Sequence, residues 1–298
     1  MTYKQHNITV EFQLVDGKTF DDSGNNILTI ENARAYVNMA AWSGISGTQI
    51  TLQIWGLTTS QMATLSYRGI WIGSAKFNLM RVWADGHAIF EGFISNAYAD
   101  FNQLPDTPLT ITASMMLGLR AKEVEPFTTS GDVDIIDIIT AMAKKADLTV
   151  ENYGATGVIS NPHYTGNVVN QIQQVANALD IDTDFGIDKV TIWPHGQPKV
   201  EKLLLTSPEY GLIGYPILTG VGITATTLFS NEIILGRKVK IETSLPNVSG
   251  TYLITGAEHY LTSWLDGGQW HTSFSGTPVK TEDKNNGKAD NKTNGHKQ

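Results

Sequence analysis

The period of the hydrophobic pattern constrains this chain more than any other feature, and that period changes along its length. Toward both ends apolar residues alternate with polar ones or gather in β-branched and aromatic runs. Only the middle switches to helical spacing. In the first 120 residues, strand-like runs cover 50–55, 77–83, 88–90, 93–94 and 109–113. Turn signals separate them, at Asp16-Gly17, Ser46-Gly47, Asp85-Gly86 and between Pro105 and Pro108. Short strands at this spacing predict a barrel or sandwich, with one short helix at 59–65 capped by Thr58 or Thr59.

From Asp132 the pattern is helical: Ile135, Ile138, Ile139, Met142, Ala143 and Ala146 fall on one face. Asp132 is the predicted N-cap, with Asp134 in the first turn and Lys144 and Lys145 in the last, each where the helix dipole favours its charge. A second helix is predicted over 167–179, with Val168, Ile172, Val175, Ala176 and Leu179 on its apolar face. A strand at 148–150 lies between the helices, and two more follow, joined at 186–189. From residue 201 strands return, at 239–243, 251–255 and 269–274. From Lys280 on no large apolar residue remains, so that segment cannot bury enough surface to offset its ordering entropy. The expected organisation is a β domain over 1–120, an α+β module over 121–200, a second β domain over 201–277 and a polar, disordered tail over 278–298. Phe93-Ile94-Ser95-Asn96-Ala97 is echoed by Leu253-Ile254-Thr255-Gly256-Ala257, which predicts two related β domains flanking the module.

Composition narrows the chemistry. The 298 residues hold no cysteine, which removes disulfides, thiolate metal sites and cysteine nucleophiles together and fits a reducing cytoplasm. The net charge of −8 and the absence of a Lys/Arg cluster argue against nucleic-acid binding. No run of about 18 uncharged apolar residues predicts a membrane span, and the first residues lack the layout of a signal peptide.

The chemical motifs are weak. Asp184-Phe185-Gly186 spells a kinase metal-binding triplet without the glycine loop, strand lysine and catalytic loop that the chemistry needs, so it reads as a turn. Gly220-Val221-Gly222-Ile223-Thr224-Ala225 fits G-x-G-x-x-A, but a dinucleotide site needs a helix to follow, and Thr226 to Asn231 forms helices poorly. His259 and His271 fall on neighbouring predicted strands, yet zinc takes three or four protein ligands. His163 and His195 read as loop residues. Asp180, Asp182, Asp184 and Asp188 are either a carboxylate pair, a loose cation loop or one solvated strand face. No catalytic residue, cofactor or metal is assigned.

The last β region carries the informative pattern. It runs Gly211-Leu212-Ile213-Gly214-Tyr215-Pro216, Gly222-Ile223 to Leu228-Phe229, Gly236-Arg237-Lys238-Val239-Lys240-Ile241, Gly250-Thr251-Tyr252-Leu253-Ile254 and Trp270-His271-Thr272. Upstream, Ile54-Trp55-Gly56-Leu57 precedes Ile89-Phe90-Glu91-Gly92-Phe93-Ile94. This ordered set resembles the baseplate hub family of contractile phage tails, which is related to the hub half of the valine-glycine-repeat spike proteins of type VI secretion. Gly56, Phe90, Gly92, Gly214, Pro216, Gly222, Gly236, Gly250, Tyr252 and Trp270 are the positions that match, as structural signatures.

The resemblance implies a mainly β fold with an inserted α+β module, in which two similar β-barrel domains form a pseudo-sixfold ring as a homotrimer. It implies a non-enzymatic subunit of the virion's tail baseplate, assembled in the host cytoplasm. Its expected partners are the hexameric tail tube protein, the trimeric central spike protein and other baseplate proteins of the wedge or tail tip. The genome would pass through the lumen without being specifically bound. Trp42, Trp71, Met80 and Trp264 are candidate interface anchors. The alternative is a carbohydrate- or surface-binding β module using Trp71, Trp83 and Trp193, or a cell-wall-degrading tail enzyme.

Overall fold

The computed structural model describes residues 5–66 and 77–279. The chain begins with β1 (Ile8–Gln13), β2 (Ile27–Ile30), β3 (Ala35–Trp42), β4 (Gly47–Ile54), helix α1 (Thr59–Leu65), β5 (Leu79–Ala84), β6 (His87–Ala99) and β7 (Leu109–Ser114). The middle holds α2 (Leu117–Ala121), β8 (Phe127–Thr128), β9 (Asp132–Asp134), α3 (Ile135–Lys144), β10 (Thr149–Asn152), β11 (Val158–Ser160), β12 (His163–Tyr164), α4 (Val168–Leu179), β13 (Ile181–Phe185) and β14 (Lys189–Pro194). The last part is β15 (Val200–Thr206), β16 (Leu212–Leu218), β17 (Ile223–Leu228), β18 (Arg237–Ile241), β19 (Gly250–Ser263) and β20 (Trp270–Pro278).

Alternation builds the strands. In β1, Ile8, Val10 and Phe12 are fully buried while Thr9, Glu11 and Gln13 face outward. On that outer face Arg81 of β5 bridges Glu11 of β1 at 2.6 Å and Glu91 of β6 at 2.7 Å, one charge tying three strands. Helix α1 starts in a capping box: Thr58 accepts from the Gln61 amide, and the Gln61 side chain accepts from the Thr58 amide.

The middle segment makes its own core from one face of α3 and one of α4, laid on the three-stranded sheet β10-β14-β13. Ile135, Ile138, Ile139, Met142, Ile172 and Val175 are wholly buried there, each stabilising the fold by about 1.5–3 kcal/mol. The cap of α3 is Asp134, which accepts from the Ile136 amide, and not Asp132. Asp132 is instead drawn into β9, where it pairs with Ser160 of β11. Asn167 caps α4 as expected, and the helix ends at Asp180 in a left-handed conformation, φ 52°.

The flanking β regions do not form two closed barrels among the described strands. They join in a single 13-stranded sheet, because β3 pairs antiparallel with β19 along eight positions from Trp42↔Gly256 to Ala35↔Ser263. Within that sheet the pairing order repeats. The first region runs β3-β4-β7-β6-β5-β1, and the last runs β16-β17-β20-β19-β18-β15. Taken in chain order the two sets are equivalent strand for strand: β1 to β15, β3 to β16, and β4 through β7 to β17 through β20. Only one pairing changes sense, antiparallel between β1 and β5 but parallel between β15 and β18.

The sequence echo marks this repeat. Ladder shifts fall between Ile94 and Asn96 in β6 and between Ile254 and Gly256 in β19, so Ser95 and Thr255 are equivalent bulge residues. Ser95 Oγ donates to the Thr112 carbonyl at 3.0 Å, and Thr255 Oγ1 donates to the equivalent Ser275 carbonyl at 3.4 Å.

Candidate assembly surface

The repeat makes one joint visible and, among the described residues, leaves two edges without a strand partner. Inside the chain, β3 of the first region adds to the edge of β19, next to where β18 pairs with the start of that strand. Gly256 permits the close approach: a Cβ there would lie 2.1 Å from the Trp42 ring. Ser263 Oγ also donates to the His6 carbonyl, and His6 stacks on Trp270 with ring centroids 4.2 Å apart.

Strand β16 is the counterpart of β3, yet among the described residues only β17 pairs with it. Its sequence Leu-Ile-Gly-Tyr-Pro-Ile-Leu does not alternate, and a bulge between Ile213 and Ile217 turns several apolar side chains outward. Tyr215 is 68% exposed and Ile217 67%, with Leu218, Val221 and Ile213 beside them. Strand β6 is the counterpart of β19. Past Phe93, where the ladder with β5 stops, the edge of Asn96 to Ala99 has no strand partner among the described residues. Tyr98, Phe101 and Leu104 are exposed next to it. Among the described residues both edges present backbone N–H and C=O groups without a strand partner beside exposed apolar side chains, the condition for adding a strand.

The sequence-derived candidates distribute as follows. Met80 is fully buried in the first core and anchors no surface. Trp42 is partly exposed at the joint and Trp264 is exposed, while Trp71 lies outside the described residues. Trp193 is 2% exposed with Lys199 Nζ 4.9 Å from its ring centroid, so its face is closed to a sugar. Trp83 is half-buried.

The Asp184-Phe185-Gly186 triplet is the end of β13 and its turn, with Phe185 buried and Asp184 on Lys199 at 3.1 Å. Asp182 shares that strand's outer face with Asp184 and meets His195 at 3.1 Å. The solvated-face reading of these aspartates is therefore the one the geometry favours. The Gly220 to Ala225 segment leads into strand β17 and not a helix, which removes the dinucleotide reading. Gly222 is there for a close approach, since a Cβ would fall 2.0 Å from the Gly276 carbonyl oxygen.

His259 opposes Thr272 and His271 opposes Tyr260, so the two imidazoles point to opposite faces of the sheet. His259 is buried, bonded to Thr272 Oγ1 at 2.8 Å, and burial pushes its pKa down to about 4. His163 sits in β12 against Thr128 at 2.7 Å and is not in a loop. Among the described residues no three His, Asp or Glu side chains gather as a metal site, and no helix is long and apolar enough to cross a membrane.

The signature positions are architectural in placement. Phe90 is buried and packs on Gly92; Tyr252 donates to the Val248 carbonyl at 2.6 Å just after Gly250 opens β19. Gly56 follows β4, Gly214 and Pro216 form the β16 bulge, and Gly236 precedes β18. Sequence reading missed the two open edges. The signal was the concentration of apolar residues without alternation in 212–218, which a two-faced strand has no use for.

The family model for baseplate hub gp41 matches residues 83–267. No curated protein sequence matches the chain significantly. Among solved structures, the tail protein of Neisseria meningitidis MC58 superposes with a TM-score of 0.63 at 10% identity, covering 92% of this chain and 97% of that one. The 43 kDa tail protein of prophage MuSo2 from Shewanella oneidensis gives 0.63 at 7% identity, covering 93% and 99%. The E. coli c3393 protein, a component of the type VI secretion system with structural similarity to the T4 tail proteins gp27 and gp5, gives 0.60 at 9% identity, covering 83% and 74%. At such identities these neighbours share the fold.

Proposed function

The chain belongs to the baseplate hub gp41 family, a family of tail structural proteins, and from that premise we propose that three copies form a ring joining a hexameric tail tube to a trimeric spike. The observation that carries this reading is the internal repeat: each protomer supplies the same six-stranded pairing order twice, side by side in one sheet. Three such protomers present six similar units, which is how a threefold assembly can meet sixfold and threefold neighbours at its two ends. The units are the β domains of 1–120 and 201–277, with 121–200 as a module outside the repeat. In this reading each β domain closes as a barrel within the assembled ring.

The chain works without catalysis in this reading. The genome passes through the lumen, where a net charge of −8 keeps DNA from adhering. The protein resides in the virion baseplate, assembled in the host cytoplasm, with tube, spike and wedge or tip proteins as neighbours. The carbohydrate-binding alternative loses support from the burial of Trp193.

Light scattering coupled to size exclusion tests the proposal. A mass of three chains at micromolar concentration is expected. A protein that stays monomeric or dimeric from micromolar to hundreds of micromolar would contradict it.

A further inference from the structure

The hairpin that joins β19 to β20 borders a cleft that the hub role does not use. Residues 264–269 form its loop. The loop is tied at its base by Thr262, whose amide and hydroxyl both donate to the Gln269 carbonyl, at 2.8 and 3.0 Å. Gly268 permits that closure, since a Cβ there would collide with Thr262 Oγ1. Beside the loop, His6 stacks on Trp270 with ring centroids 4.2 Å apart, and its Nδ1 pairs with Asp85 at 2.9 Å. Phe229 packs edge-to-face on the same indole at 5.6 Å, so Trp270 is held firmly. Between these parts lies a cleft of about 580 Å³, lined by Gln5, His6, Thr262, Trp264, Asp266 and Gln269 together with Trp270. That volume is within the range of small-molecule sites.

Trp264 is the residue that asks for an explanation. It is 56% exposed, and its φ of 57° is a left-handed conformation that bulky side chains rarely adopt. A glycine or asparagine would hold this turn with less strain. The protomer therefore gains little from an indole here, and strained residues of this kind gather where a ligand is bound.

We propose that this cleft binds a neutral saccharide, with Trp264 as the platform for one pyranose ring. A pyranose presents an apolar C–H face and a rim of hydroxyls that both give and accept hydrogen bonds. It suits an exposed aromatic face surrounded by neutral polar side chains. Gln5 and Gln269 are exposed and each offers amide donors and an acceptor, while Asp266, also exposed, accepts. An extended peptide fits the cleft less well. Peptides are held largely through backbone hydrogen bonds, and at the base of this loop the Thr262 N–H and the Gln269 C=O already satisfy each other.

Charge narrows the class of sugar. The lining holds one carboxylate, Asp266, and no lysine or arginine. Arg34, whose charge Asp266 feels, is engaged with both oxygens of Asp106 at 2.7 and 2.8 Å. An acidic sugar would meet the Asp266 carboxylate with no cation in the lining to offset it. The equivalent hairpin of the first region, 100–108, carries no tryptophan, so the platform belongs to the last region. The site uses none of Trp71, Trp83 and Trp193, and it adds a binding role to the hub role without depending on the ring.

Saturation-transfer NMR and calorimetry on the full chain test the site, with neutral trisaccharides of glucose, galactose, mannose and N-acetylglucosamine as probes. At least one should bind at millimolar concentration or below, and trigalacturonate should bind about tenfold more weakly. Trp264→Asn keeps a residue that accepts the left-handed turn but removes the platform. It should lower affinity by about tenfold or more, with the parent circular dichroism and a thermal midpoint no lower than the parent's. Trp264→Phe should retain part of the binding, and Asp266→Asn should narrow the gap between neutral and acidic probes. Failure of every neutral probe to bind, undiminished binding by Trp264→Asn, or tighter binding of trigalacturonate would each overturn the site. Light scattering separates a purely structural role: if Trp264→Asn dissociates an oligomer whose parent binds no probe, Trp264 is an interface anchor and the saccharide site is wrong.

Discussion

The two β regions share a strand plan but differ in how far each completes itself. The first buries a large cluster from Ile8 to Ala113, and both its flanks are covered: β2 pairs with β1, and β3 is taken up by β19. The cluster of the last region is less than half that size, and β16 is left with exposed isoleucine, leucine and tyrosine on its outer edge. Among the described residues, one plan thus gives a unit whose two flanking strands are both paired and a unit whose flanking strand β16 is paired on one side. That asymmetry fits the proposed ring, in which the next member of the repeat would lie on another chain.

The comparison can be broken at Gly222. Its counterpart in the first region is Gln49, an exposed residue. Gly222→Ala drives a Cβ into the Gly276 carbonyl and should cost about 3 kcal/mol of unfolding free energy in urea titrations, whereas Gln49→Ala should stay within about 0.5 kcal/mol. Equal costs would mean that the two hairpins are built alike.

Acid sharpens it next. His259 lies at the joint, and its counterpart Ala99 cannot titrate. Because burial lowers the His259 pKa from 6.5 to about 4, the unfolded chain binds a proton there that the folded chain refuses. The His259 contribution to stability is intact above pH 6.5 and lost progressively as pH falls toward 4, by about 3 kcal/mol in all. Denaturation midpoints of His259→Gln should lack that part of the pH dependence.

A smaller effect is expected at the joint's glycine. Gly256→Ala presses a Cβ on the Trp42 ring, which is partly exposed and can swing away, so a loss of about 1–2 kcal/mol is expected. Asn96→Ala, its counterpart, should leave protomer stability unchanged within about 0.5 kcal/mol. The smallest difference lies on the outer face. Arg81 links carboxylates on two neighbouring strands, while its counterpart Lys240 meets Glu242, just past the end of its own strand, at 2.6 Å. Arg81→Ala should cost about 1 kcal/mol or less, and Lys240→Ala less again, by urea titration.

Much of this plan is local enough to be legible in sequence. Helices α3 and α4 declare themselves because their apolar residues recur at 3.6 spacing and are the ones buried. The five-residue echo at Phe93 and Leu253 is visible because it spans equivalent bulges, at Ser95 and Thr255, on equivalent strands. The hub resemblance likewise rests on ordered short motifs, and the family match agrees with it.

What sequence could not show is non-local. Asp132 and Asp134 are equally good caps until the pairing of β9 with β11 claims the first. Met80 and Trp193 are candidates for a surface until the cores that enclose them exist. The β3–β19 joint connects residues more than 200 positions apart, and nothing in either strand names the other. The open edges are defined only by comparison with that joint, so they were invisible for the same reason.

The central claim is that one protomer contributes two equivalent units to a ring. Electron microscopy of the purified particle, averaged at secondary-structure resolution, tests it most directly. Six similar β lobes around a central hole, alternating between first and last regions with threefold symmetry, are predicted. Three lobes, with the two β regions stacked along the axis and not side by side, would contradict the account.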